Sequence, residues 1–217
     1  MADALNRTTL TIDRILEGSS VGTIDLAVDL DRGNNTVKEY TLHLGEKSLD
    51  VLQYVPEGWS FRVEHSLPGT RTLGKVINAG DPENWGVSRW FVTSLHEIGH
   101  AREFVKGKMS AGELEDIYER VCTINREKTP EDIKTVVREE IKAWTFAVDL
   151  LTKFGLPSDF MQSVYRFVVF PYLRSYLSPA FSQFHEPYIV TKDIDKFRSE
   201  VKKMFFSWAR DNFLRLG

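Results

Sequence analysis

The chain reads as an α+β protein, and three observations lead there. Its first 84 residues are rich in β-branched runs with partial alternation, the period of a half-buried strand. After the punctuation Ala79-Gly80-Asp81-Pro82 the apolar period changes from two to about 3.6, the period of an amphipathic helix. The order, strands first and helices afterwards, is that of segregated α+β folds rather than alternating ones.

The elements follow in order. Thr8 to Ile12, Val21 to Leu30 and Val37 to Leu44 are expected strands, with Asp31-Arg32-Gly33-Asn34-Asn35 as a hairpin loop. Val51 to Val55 and Phe61 to His65 read as further short strands around a turn at Pro56-Glu57-Gly58. Arg71 to Asn78 reads as extended. A helix over 87–105 carries Phe91, Leu95, Ile98 and Val105 and stops before Lys106-Gly107-Lys108. Ser110 to Arg126 places Leu114, Ile117, Val121 and Ile124 on one face. Thr129 as N-cap, Pro130 at the first helical position and Asp132 in the first turn open a helix over 130–154, which Gly155-Leu156-Pro157 ends. Ser158 to Leu177 and Asp193 to Leu216 read as two more helices, joined by a loop rich in proline and aromatics. The expected organisation is a β-rich lobe over 1–84 and a helical part over 85–217, together one compact unit.

Composition narrows the function. The chain has 217 residues, long enough for a sizeable core, and its 42% hydrophobic and 27% charged residues are ordinary for a globular protein. A net charge of −3 gives no reason to expect a nucleic-acid or membrane-surface partner. Lone Cys122 excludes an intramolecular disulfide, which suits a reducing compartment. Met1 to Leu10 has no apolar run after a basic start, and Phe160 to Leu177, the most apolar window, is broken by Arg166, Pro171 and Arg174. Cytoplasmic location is the expectation left.

Chemistry concentrates in His96-Glu97-Ile98-Gly99-His100. Two histidines four apart on a helix lie one turn apart on the same face, so both imidazoles can reach one Zn²⁺ at about 2.0–2.1 Å. Glu97 then sits beside the metal without binding it and can take a proton from a zinc-bound water. The flanks Thr93-Ser94-Leu95 and Ala101 are uncharged, as a buried metal helix requires. Gly99 in a helix interior costs about 1 kcal/mol against Ala, which argues for close packing there. Arg102 is less expected, because that position normally packs inward.

A third protein ligand is needed. Glu103 and Lys106 stand where a metzincin would have Gly and His, which excludes that class. Two glutamates remain candidates. Glu119 points about 180° from the apolar face of its helix. Glu140 falls at the edge of the stripe Ile133, Val137, Ile141, Trp144, Val148 and Leu151, with Glu139 nearly opposite. A carboxylate at the edge of a buried face suits a ligand, and Glu140 is preferred.

His96 to Ala101 together with Glu140-x-x-Ala143-Trp144 resembles the gluzincin peptidases of the zincin clan, in particular the minimal gluzincins and the peptidases that cleave repressors. Phe146-Ala147 also fall at matching places, and the resemblance covers residues 71 to about 151. It implies a zincin-like fold: a twisted sheet, the metal helix, and a helical lobe carrying Glu140. It implies one Zn²⁺ per chain on His96, His100 and Glu140, and Glu97 as general base for hydrolysis of a peptide or protein substrate. An edge strand before the metal helix, for which Thr72 to Asn78 is the natural candidate, would bind the substrate backbone by strand addition. Relatives place Asp or Asn where this chain has Trp144, whose indole donates but does not accept. Another acceptor must then orient the ligating histidines, with Asp149, Glu103 or a backbone carbonyl as candidates. Relatives also supply a His or Tyr to stabilise the oxyanion. His185 is the first choice and Tyr188 the second, with Tyr118, Tyr165, Tyr172 and Tyr176 still open. The alternative function is a zinc-binding regulatory or interaction protein of the same fold with little or highly restricted proteolysis. A purely structural helix carrying a chance motif is the remaining reading.

Overall fold

The computed structural model describes residues 7–12, 24–31, 33–64, 68–82, 87–107, 109–122, 129–156, 158–170 and 194–214. It is a mixed α+β structure. Seven strands form one sheet: β1 (Arg7–Ile12), β2 (Ile24–Asp31), β3 (Thr36–Leu44), β4 (Lys47–Asp50), β5 (Ser60–Arg62), β6 (Gly69–Arg71) and β7 (Val76–Asn78). The spatial order is β1-β2-β3-β5-β7-β6, with β4 also paired to β3. Among the described residues only β5 and β7 run parallel; the other pairs are antiparallel.

The β2–β3 hairpin is made by its loop chemistry. Asp31 Oδ1 accepts the Gly33 N–H, Asn34 Oδ1 accepts the Thr36 N–H, and Asn35 takes a left-handed φ of 58°, which Asn tolerates. Alternation along β3 buries Val37, Tyr40 and Leu42. Two expected elements differ. Val51 to Val55 is a short 3-10 turn (Leu52–Tyr54) rather than a strand, because Asp50 Oδ1 captures the Leu52 N–H and starts a turn. The expected edge strand Thr72 to Asn78 is divided: Thr72 to Lys75 form a turn, and β7 lies inside the sheet between β5 and β6. The edge strand beside the metal helix is β6, just upstream of the expected segment.

The helices are α1 (Val87–Lys106), α2 (Ala111–Cys122), α3 (Pro130–Phe154), α4 (Ser158–Val164), which widens into a π turn at Tyr165–Val169, and α5 (Ile194–Ala209), followed by a π turn at Arg210–Leu214. α3 begins with a complete capping box between Thr129 and Asp132, has Pro130 in its first turn, and ends at Gly155 with φ 91°. α1 lies between the sheet and α3. Tyr40 of β3 packs its ring 5.2 Å from Trp90 and bonds Ser94 Oγ at 2.8 Å, tying the sheet to α1. Trp90 Nε1 donates to the Gly80 carbonyl at 3.1 Å. On the far side of α3, Trp208 of α5 donates to Thr145 Oγ1 at 2.8 Å. One hydrophobic cluster runs from the sheet through α1 and α3 to α5. Arg102 is accommodated by stacking: its guanidinium lies over the rings of Tyr54 and Phe146 and donates to the Tyr54 carbonyl. No described helix is long and apolar enough to cross a membrane.

Candidate metal centre

α1 presents His96 and His100 one turn apart, and α3 presents Glu140 between them. His96 Nε2 lies 3.1 Å from Glu140 Oε2, His100 Nε2 lies 3.4 Å from the same oxygen, and the two Nε2 atoms are 3.1 Å apart. Two ligand atoms about 2.0–2.1 Å from one tetrahedral ion stand about 3.3–3.4 Å apart, so this triangle has the size of one face of a zinc tetrahedron. Hydrogen bonding alone does not account for it. Each imidazole Nε2 carries at most one proton, so at most two of the three contacts can be hydrogen bonds at once. Three ligand atoms converging on one point suit a cation that displaces the shared protons, and the group can hold a metal ion.

Helix contact creates the triangle. A Cβ at Gly99 would stand 2.6 Å from the Ala143 carbonyl oxygen and 2.8 Å from its Cα, so the backbones of α1 and α3 touch there. The close packing expected from Gly99 is present. Glu140 lies one turn before Ala143 on α3, within the buried face formed by Val136, Val137, Ala143, Trp144 and Ala147. It is 2% exposed, deeper than the edge position read from the helical period. Glu139, nearly opposite the apolar stripe by helical phase, is half-buried at the margin of the site and pairs with Lys142 at 2.6 Å. Glu119 is exposed on α2 and is not one of the converging ligands.

Charge in the site is coupled. Burial opposes the charge on Glu140, but His100 and His96 outweigh it and hold the carboxyl well below the usual range. Burial likewise opposes charge on His100, yet Glu140 overrides it and pushes the imidazole up to about 9. The metal-free site therefore keeps a proton on His100 at neutral pH, one that a zinc ion would displace.

The neighbours complete the picture. Trp144 lies flat on His96, with ring centroids 4.1 Å apart and planes at 26°. Of the two carboxylates considered for orienting the histidines, Asp149 is exposed and Glu103 pairs with Lys106 at 2.7 Å. Packing by Trp144 holds the His96 ring from one face. Glu97 is 7% exposed, and the hydroxyl of Thr70 on β6 donates to its Oε2 at 2.8 Å while lying 2.9 Å from its backbone carbonyl. Tyr118 of α2 donates to Glu140 Oε1 at 3.3 Å and sets its ring edge-on to His100.

A cavity of about 300 Å³ opens beside these groups, between β6 and α2, and Thr70, Glu97, His100, Tyr118 and Glu140 line it. Of the expected oxyanion donors, only Tyr118 stands here among the described residues. Tyr165 stacks on Phe213 in the helical core, and His185, Tyr188, Tyr172 and Tyr176 lie outside the described residues, as does His65. Thr70 had no mark in the sequence; it comes from a three-residue strand whose pairing is set by distant partners.

No protein-family model, no curated protein and no solved structure matches this chain.

Proposed function

We propose that this chain is a zinc-dependent peptidase of gluzincin type, with a zincin-like fold. The observation that carries the proposal is the Nε2–Nε2–Oε2 triangle of His96, His100 and Glu140, with edges of 3.1–3.4 Å and Glu97 beside it. Bound there, Zn²⁺ would supply Lewis-acid polarisation and a water acidic enough to ionise near neutral pH.

The chain's own residues supply the rest. Glu97 accepts the proton of the attacking water and delivers it to the departing amine. Thr70 holds Oε2 of that carboxylate, and Glu97 lines the cavity. The Tyr118 hydroxyl lines the same cavity and, on turning from Glu140, would donate to the carbonyl oxygen as it gains charge. β6, at the edge of the sheet and on the wall of the cavity, is the strand against which an extended peptide would pair.

The test is metal content by elemental mass spectrometry, beside hydrolysis of a mixed peptide pool. The expected result is one zinc per chain, lost in Glu140→Ala and kept in Glu119→Ala, with peptide cleavage that a chelator stops. Stoichiometric zinc with no cleavage of any peptide would favour a zinc-binding regulatory protein. No metal after incubation with zinc would remove both readings.

A further inference from the structure

The cavity beside the metal centre is lined by four glutamates, Glu97, Glu115, Glu139 and Glu140, and among its described lining residues there is no Lys or Arg. A dication on His96, His100 and Glu140 offsets the charges of Glu97 and Glu140. It leaves that of Glu115 unbalanced, while that of Glu139 is shared with Lys142 at 2.6 Å. Glu115 is fixed: its Oε1 accepts from both Thr72 Oγ1 and the Leu73 N–H at 2.8 Å, so α2 grips the β6–β7 turn across the cavity. Both of those bonds use one carboxylate oxygen, and the other stays available. Glu139 is likewise engaged through Oε1, to Lys142 at 2.6 Å. The cavity wall thus carries two carboxylates held in place by neighbours, each with an oxygen to spare, in a partly enclosed space where charge is screened less than at an open surface.

Resting on the peptidase reading above, we infer that this cavity selects a cationic side chain, Lys or Arg, next to the scissile bond, with Glu115 the principal determinant and Glu139 the second. Carboxylates pre-positioned this way give up little freedom on pairing with an ammonium or guanidinium group, while an acidic side chain there meets unbalanced like charge. Thr72, Leu114 and Tyr118 offer the cation's aliphatic stem neutral surface.

The experiment uses the zinc-loaded Glu97→Gln chain, which should hold peptides without consuming them. Capped hexapeptide pools carrying Lys, Arg, norleucine or Glu at each position in turn are enriched on it and read by mass spectrometry. The expected result is about tenfold enrichment of Lys or Arg over norleucine at one position, shrinking as salt is raised. Adding Glu115→Gln and Glu139→Gln should abolish it at unchanged zinc content. The amide oxygen that Glu115→Gln introduces can still accept from Thr72 and Leu73, so the variant removes charge and keeps the brace. Enrichment indifferent to both substitutions, or no enrichment of basic over neutral peptides, overturns the inference. Basic peptides captured but never cut by the wild-type chain leave the selectivity standing and sink the peptidase reading. Cleavage with no basic preference does the reverse.

Discussion

Gly99 and Ala143 touch backbone to backbone, and this contact sets the spacing of the metal centre. His96 and His100 flank Gly99 on α1, Glu140 precedes Ala143 by one turn on α3, and a Cβ at Gly99 would fall 2.6 Å from the Ala143 carbonyl oxygen. Gly99→Ala should therefore push the helices apart. Helix propensity alone would favour Ala by about 1 kcal/mol, but overpacking against backbone costs about 1–3 kcal/mol. The net expectation is a lower melting temperature together with weaker zinc binding. Full zinc affinity in Gly99→Ala, measured by competition with a chromogenic chelator, would contradict the role given to this contact.

Glu97 is not one of the converging ligands, so its removal separates metal binding from chemistry. Glu97→Gln should keep one zinc per chain and cut turnover by at least about 10²-fold, the usual contribution of a general base. Undiminished turnover would exclude the proposed role.

Thr70 positions Glu97 through its hydroxyl at 2.8 Å. Thr70→Val preserves volume and β-branching while removing that donor. The expected effect is a fall in kcat of about tenfold with little change in KM, because a general base loses efficiency when it is not held in place. Thr70→Ser, which keeps the hydroxyl, should recover most of that loss. A merely structural role would lower the melting temperature of both variants and leave kcat in place.

Tyr118 donates to Glu140 Oε1 at 3.3 Å and lines the cavity. Tyr118→Phe should retain zinc and lose about 10²-fold in kcat, the size of a lost oxyanion donor. An unchanged kcat would move that role to residues outside the described part of the chain, His185 among them.

The raised pKa of His100 predicts a proton linkage. Burial opposes its charge, Glu140 wins, and the value reaches about 9 from 6.5. Because the folded value is the higher one, the pair's stabilisation of the metal-free fold is complete below about 6.5 and is lost as pH rises through about 9. Glu140 has the opposite sign: its stabilisation is present above about 4.5 and is lost as pH falls toward the depressed value. Zinc needs neutral imidazoles, so uptake at pH 7.5 should release about one proton, and apparent affinity should climb about tenfold per pH unit until about pH 9. Calorimetry in buffers of different ionisation enthalpy measures the released proton; uptake without release would refute the His100–Glu140 pairing.

Local pattern alone was enough to locate the histidines and their glutamate, since residues one and four apart on a helix share a fixed geometry whatever surrounds them. It was also enough for the caps of α3 at Thr129 and Gly155, which depend on contacts within a few residues. Helical phase favoured Glu140 over Glu119, but placed Glu140 at the edge of its stripe, because periodicity reports direction around an axis and not depth. Depth came from α1 pressing onto α3 at Gly99. The strand nearest the metal helix was misassigned to Thr72 through Asn78 because pairing is non-local: extended residues look alike until the sheet decides which becomes an edge, and the sheet put β7 inside and β6 outside. Thr70 on Glu97, Tyr118 on Glu140, Trp144 against His96 and Glu115 across the cavity join segments at least 22 residues apart in sequence. No spacing rule connects such positions. They meet because packing α1 on the sheet, α3 on α1 and α2 on α3 brings these polar residues to one shared cleft.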